Sequence, residues 1–316
     1  MKKKIAVLLV AIIILLSTGC TKQLVNADKQ RIINETTGQS LTSNILCLPE
    51  GEELLKLYKE NEEFMEVKLE ELPACSNMKI YESGNYNGLW VQLFVRPIAW
   101  CIIKLGLFLG NYGLSVMIMG LIIRLILMPF SAKTIRQSEN MKKAQPYIEK
   151  IEKKDKDKQD QESMMAMSRE TLEVYKKYKV NPMSSCLVTF VQLPLFFAFL
   201  EAINRVPAIF ENYFWKFQLG TTPLVGIKAG NYYYIILIIL ILLFTAWSFK
   251  FSMSSMAGNS EQVQQTKFMM IFMTVFIGIA SIQLPAAIAL YWVVTNAFNV
   301  VQTYIFKRGG SKNDED

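Results

Sequence analysis

Apolar residues in this chain fall in long blocks separated by polar ones, and the block lengths predict helices that cross a membrane. Gly110–Lys133 reads GNYGLSVMIMGLIIRLILMPFSAK, an apolar run with one arginine, Arg124, inside it. A hydrocarbon core of about 30 Å takes roughly 20 helical residues, so Tyr112–Phe130 predicts a first span, ending near Pro129 and Ser131. Pro182–Leu200, with Gln192 and Pro194 inside it, predicts a second. Tyr232–Phe249, Phe268–Ile282 and Ala286–Phe306 predict three more, the last two joined by Gln283, Leu284 and Pro285. The fourth run is short, roughly 22–26 Å of helix, so local thinning of the bilayer is expected around it. Leu89–Leu109 is apolar but interrupted by Gln92, Arg96, Pro97 and Lys104, with Trp90 and Trp100 alongside. That mixture predicts a helix lying in the interface with its basic side chains reaching water, a true span being the alternative.

Between the first two spans lies the most charged part of the chain. Lys133–Lys179 holds thirteen basic and nine acidic residues, and a short basic loop beside a span marks the cytoplasmic side. Its pattern predicts a helical hairpin, with arms over about Ala132–Lys154 and Glu162–Tyr178 and a turn at Asp155–Gln161. Met141, Ile148 and Ile151 on the first arm, and Met164, Met167, Leu172 and Tyr175 on the second, give each a partial apolar face. Methionine faces adapt to varied partners, so Met141, Met164 and Met167, with Lys142 and Lys143, are candidates for contact with client chains or a ribosome. A solvated hairpin packed on itself is the alternative. Lys250, Lys267, Lys307 and Arg308 also fall inside if the chain starts outside and ends in the cytoplasm.

The N-terminus predicts that outside start. Lys2, Lys3 and Lys4 precede an apolar core, Ile5–Leu16, too short to span, and the segment ends LLSTGC. This is the layout of a lipoprotein signal over residues 1–19, with Cys20 as the lipidated residue. Ser17 stands where leucine is favoured, and an uncleaved anchor is the alternative. Residues 20–88 are polar and mixed, outside the membrane, with one amphipathic helix expected within Glu50–Glu71. Cys47 and Cys75 bracket it and could pair on an oxidising face. Cys101 and Cys186, in apolar stretches, are expected to be small core residues.

Composition narrows the chemistry. The 316 residues are 52% hydrophobic with a net charge of +7 and no histidine. His-based metal sites, Ser-His triads and imidazole relays are thereby excluded, and no motif for a nucleotide, metal or other cofactor is present. No catalytic residues are expected, and the positive charge is read as membrane topology rather than DNA binding.

The last span carries Trp292, Thr295, Asn296, Asn299, Gln302 and Thr303 at intervals of three and four, which places them on one helical face. Polar groups facing lipid are costly, so this face should turn inward, toward Arg124 and Gln192. Asn and Gln in spans also serve simply to hold helices together, and Arg124 is near enough to the span end for its guanidinium to snorkel to the inner surface.

These segments together resemble the YidC/Oxa/Alb family of membrane protein insertases. The resemblance rests on the run from Gly110 to Ile151, on NPMSSCLVTFVQLPLFFAFL and on LPAAIALYWVVTNAFNVVQTYIF, and covers about Trp90–Phe306. The lipobox and the lack of a large outer domain resemble the Gram-positive form. What the resemblance implies is a groove open to cytoplasm and lipid, with Arg124 as its cation and Gln192 and Trp292 lining or closing it; the inward polar face adds Asn296 and Asn299 as candidate lining residues. It also implies nascent membrane proteins as clients, transient contact with the ribosome, action either alone or with the Sec translocon, contact with membrane lipids, and a plasma-membrane location. Two departures matter. The third span ends TAWSFKFSM where relatives often have a glutamine, which suggests a less polar groove near Phe249, and the tail 307–316 is short and of mixed charge, unlike ribosome-holding tails. An assembly chaperone without translocation, or a transporter for a small anionic solute, would also use a buried arginine.

Overall fold

The computed structural model describes residues 21–81, 88–154, 160–180, 183–253 and 260–312. The readings at Cys20 and at the hairpin turn 155–159, and the side chains of Cys186 and Gln192, lie outside the described residues. The chain is an all-α membrane protein with two short hairpins of strand. It divides into two compact units, which are taken in turn.

The first unit draws on the chain up to Ile123, on Gln192–Ile241 and on Gly278–Thr295. It begins with a small module that the polar composition of 20–88 conceals. β1 (Ile33–Asn34) and β2 (Gln39–Ser40) form a hairpin, followed by α1 (Glu52–Glu60) and three short 3-10 turns. Leu54 and Tyr58, one helical repeat apart, turn inward onto Leu24, Leu41, Ile45 and Leu69. Six buried apolar side chains are a thin core for such a module. The Cys47–Cys75 disulfide closes a 28-residue loop across it, with the two Cα atoms 4.8 Å apart.

α2 (Gly88–Leu109) carries a π-helical turn at Val91–Val95, just before Pro97. Pro97 has no N–H to give, and a widened turn accommodates that loss. Arg96 does not reach water as its charge suggests: it is 6% exposed, on the face that buries Ile98, Ala99, Ile102 and Ile103. The interfacial reading of 89–109 had assigned faces by residue type, whereas this face is set by packing within the unit. Lys104 on the other side does reach out, donating to the Ser76 carbonyl at 2.9 Å.

α3 (Tyr112–Lys154) is one helix of 43 residues, so the first span and the first arm of the basic hairpin are continuous. Pro129 and Pro146 lie within it and do not end it. Each removes one hydrogen bond, and the Ser131 and Thr134 hydroxyls bond back to the Leu127 and Phe130 carbonyls beside the first. α4 (Gln161–Lys177) follows, capped by the Asp160 carboxylate accepting from the Ser163 N–H at 3.0 Å. α5 (Met183–Asn204) contains Pro194. α6 (Pro207–Glu211), a hairpin of β3 (Tyr213–Phe214) and β4 (Phe217–Gln218), and α7 (Pro223–Lys228) then form a compact connection. α8 (Tyr233–Met253), α9 (Ser260–Gln283) and α10 (Ala286–Lys312) complete the chain, the last two separated by Leu284 and Pro285.

Among the described residues, three helical stretches are long and apolar enough to cross a membrane: Gly88–Leu109, Tyr112–Ile151 and Tyr233–Lys250. Pro194–Asn204 and Met270–Gln283 are shorter apolar stretches.

The N-terminal module is fastened to the connection after α5. Arg205 is 1% exposed; its Nη1 meets Glu201 Oε1 at 3.0 Å and its Nε donates to the Asn44 carbonyl at 2.6 Å. The same carboxylate accepts from Trp90 Nε1 at 2.9 Å. Glu211 accepts from the backbone N–H groups of Glu50 and Gly51 at 2.8 and 2.9 Å, capping α1 from outside the module. Burial pushes the Glu211 carboxyl above the usual range, against those two donors. Gly38, at φ +72°, lies so close to α7 that a Cβ would come within 2.5 Å of Val225 Cγ2.

Cys47→Ser with Cys75→Ser should lower the stability of this module by about 3–4 kcal/mol, the loop-closure entropy of a ring this size. Protease accessibility of residues 21–81 in vesicles, with and without reductant, checks it.

Candidate substrate groove and its polar helix pair

The candidate site residues fall in both units, and each unit is described by itself. In the first, Trp292 on α10 is half-buried and stacks on Phe196 of α5, ring centroids 6.4 Å apart and planes at 10°. Tyr291 packs on Phe199 at 4.2 Å. α3 comes close enough to this aromatic group that a Cβ on Gly120 would lie 2.8 Å from the Tyr291 ring. Thr295 is buried and returns its hydroxyl to the Tyr291 carbonyl at 2.7 Å, so its side chain is spent on its own helix.

The second unit holds Arg124, Asn296 and Asn299. Arg124 sits half-buried on α3, within apolar sequence. Asn296 and Asn299, one turn apart on α10, meet residues one turn apart on α8. Asn296 Nδ2 reaches Thr245 Oγ1 at 3.4 Å, and Asn299 Nδ2 reaches Ser248 Oγ at 2.6 Å. Thr245 and Ser248 are buried at 2% and 7% exposure. The two rungs repeat at i and i+3 on both helices, so two helix faces meet in one polar ladder. Gln302, one turn further along α10, is 4% exposed, and its Nε2 has no hydrogen-bond partner among the described residues. A buried amide without a partner is costly, which marks this end of the polar face as a place that water or another polar group would occupy.

Thr245 and Ser248 are what the sequence reading missed. TAWSFKFSM lacks a glutamine, yet its threonine and serine supply the polar side of α8. Their i, i+3 spacing opposite an i, i+3 pair of asparagines was the available signal. Phe249 is half-buried beside them.

The basic hairpin closes on itself. Tyr147 and Tyr178 rings lie 5.3 Å apart, Lys177 Nζ sits 5.5 Å from the Tyr147 ring, and Lys154 pairs with Glu170 at 3.3 Å. Its outer surface still presents the candidate contact residues: Met164 is 58% exposed, Lys142 and Lys143 are exposed, and Met141 and Met167 are half-buried. No group of His, Cys, Asp or Glu among the described residues is arranged to hold a metal.

Helices of membrane-spanning composition, one of them carrying an arginine within its apolar sequence, and a polar ladder between α8 and α10 define an integral membrane protein. Sequence comparison gives the family. The model of the 60Kd inner membrane protein family matches residues 104–314. The membrane protein insertase YidC of Oceanobacillus iheyensis is 36% identical over 242 residues, covering 75% of this chain and 91% of that protein. MisCA of Bacillus subtilis, also a membrane protein insertase, is 32% identical over 237 residues, covering 75% and 86%. YidC 2 of Bacillus anthracis is 34% identical over 235 residues, covering 74% and 87%. The chain belongs to the YidC/Oxa/Alb family of membrane protein insertases.

A double-mutant cycle on Ser248→Ala and Asn299→Ala should give a coupling of about 0.6–1.7 kcal/mol, the range for hydrogen bonds between membrane helices. Unfolding in mixed detergent micelles measures it, and additivity of the two single changes would contradict the ladder.

Proposed function

We propose that this protein is a membrane protein insertase of the plasma membrane, which moves nascent membrane proteins into the bilayer. The observation that carries this is the match to relatives named membrane protein insertases along nearly the whole length of those relatives. Five helices span, α2 lies in the interface, the Cys20-lipidated N-terminus is outside, and the C-terminus is cytoplasmic. The excess of Lys and Arg over Lys133–Lys179, along the end of α3 and through α4, supports that orientation.

Arg124 supplies the driving interaction. A cation in a low-dielectric, partly hydrated groove attracts a client's acidic outer segment, at about 4 kcal/mol for one pair at close range and intermediate dielectric. That attraction draws the segment part-way across while the client's apolar span passes into lipid. Gln192, Trp292, Asn296 and Asn299 line or close the groove, and the polar ladder keeps its α8 and α10 walls together. The exposed methionines and lysines of the hairpin meet the client or the ribosome, and the protein works alone or beside the Sec translocon. No bond is made or broken, so it is not an enzyme and needs no cofactor.

Purified protein in liposomes, supplied with a single-span client bearing an acidic N-tail, should render that tail protease-protected. Arg124→Ala should reduce protection at least about tenfold, equal to roughly 1.4 kcal/mol of lost attraction, and Arg124→Lys should keep much of it. Folding of clients without protection would instead favour an assembly chaperone, and solute flux a transporter.

A further inference from the structure

The turn joining β3 to β4 is made by the wrong residues for its geometry. Tyr213 pairs with Gln218 and Phe214 with Phe217, leaving Trp215 and Lys216 as the two-residue loop. Such loops need positive φ and ordinarily use Asn or Gly. Trp215 occupies that region at φ +53°, where a bulky side chain is disfavoured. The residue is nevertheless 64% exposed. It is held in place edge-on by Tyr233, centroids 5.0 Å apart, and by Phe217 at 5.8 Å. A strained backbone that displays an aromatic ring and a lysine side by side points from an observed outlier to a role other than stability.

Beside the turn lies a crevice of about 610 Å³, lined by Lys216, Gly230, Asn231, Tyr232, Tyr233 and Ile236. Asn231 ties its two walls together: Nδ2 donates to the Lys216 carbonyl at 3.0 Å, and Oδ1 accepts from the Tyr233 N–H at 3.2 Å. Lys216 is exposed and makes no ion pair among the described residues. Below the crevice the lining changes character. Ile235, Ile236 and Ile239 on α8 are 40%, 47% and 54% exposed, a continuous apolar surface on a helix able to cross a membrane.

A cation and tyrosine hydroxyls at one end, an indole beside them and an isoleucine track leading away from them match a phospholipid in order and in kind. We infer that this crevice binds the headgroup of an anionic glycerophospholipid. Its phosphate meets Lys216 and the Tyr232 hydroxyl, the Trp215 ring lies at the level of the ester linkages, and one acyl chain follows Ile236 and Ile239. Scattered interfacial aromatics would serve any lipid alike, whereas an open crevice lined by an exposed lysine favours a negative headgroup. The leaflet follows the orientation proposed above. The headgroup preference does not, and it is independent of insertion activity.

The test places full-length protein in vesicles of phosphatidylcholine with a minor fraction of phosphatidylglycerol, the bromine label carried by one lipid or the other at constant composition. The Trp215 share of the emission is the difference between wild type and Trp215→Phe. Per brominated molecule, labelled phosphatidylglycerol should quench that share about fivefold more than labelled phosphatidylcholine, the enrichment expected of one lysine near a membrane surface. Lys216→Gln should bring the ratio near one, and Lys216→Arg should keep it. Equal quenching by both lipids in the wild type, or none by either, would overturn the site. So would abolition of the preference by millimolar inorganic phosphate, which would make the ligand a free anion. If Trp215→Phe does not fold, the ratio of the two lipids retained in native mass spectra of wild type and Lys216→Gln decides the same question.

Discussion

Hydrocarbon offers a polar group no partner, and this constraint organises the second unit. Thr245 and Ser248 on α8, and Asn296 and Asn299 on α10, each satisfy the other helix at 3.4 and 2.6 Å. Helices in lipid gain little by burying leucine against leucine, because lipid is equally apolar, so these contacts and close packing hold them. α8 shows the consequence. Ile235, Ile236, Ile239, Leu243 and Trp247 are all exposed, while Thr245 and Ser248 are buried. The helix is arranged with its polar atoms inward and its apolar surface outward, the reverse of a soluble helix. Gln302 extends the same polar face, with its Nε2 unpartnered among the described residues.

In the first unit, buried polar atoms are satisfied with charge. Arg205 and Glu201 are both nearly fully buried and joined at 3.0 Å, with Trp90 and the Asn44 carbonyl taking up the remaining polar atoms. A buried ion pair of this kind contributes little net stability, since desolvation offsets attraction, but removing one partner strands the other. Its role is positional: the guanidinium links the end of α5 to the N-terminal module, and Trp90 at the start of α2 joins through the shared carboxylate. Glu211 adds a second fastening by capping α1.

The helices of this fold were legible because apolar runs in a chain of this composition have few alternatives. The fifth-span face at Asn296 and Asn299 was legible too, since intervals of three and four map onto one side of a helix whatever its surroundings. What it would face was not. The identity of the opposing residues is a tertiary fact, and Thr245 and Ser248 are too small and neutral to stand out. Arg96 was misplaced because residue type suggests water, while packing decided otherwise. The module at 21–81 was hidden because Leu24, Leu41, Ile45, Leu54, Tyr58 and Leu69 are scattered through polar sequence and meet only through long loops. Cys47 and Cys75 bracketed its helix visibly, but two cysteines alone leave pairing open. Pro129 suggested a boundary, but one proline removes a single backbone bond from a long helix, and the helix runs on through it.

That continuity has a mechanical consequence. Arg124 and the hairpin face at Met141, Lys142 and Lys143 lie on one helix, 17 residues apart from Arg124 to Met141, or about 25 Å of rise. No loop intervenes to absorb displacement, so a partner that binds the hairpin arm acts on the turn that carries the cation. The helix is not uniformly stiff, because Pro129 lies between the two and lacks one backbone bond. A load on the arm therefore concentrates its bending five residues from Arg124. The proline that fails as a helix stop is thus placed where it can set how strongly events on the hairpin arm move the Arg124 charge.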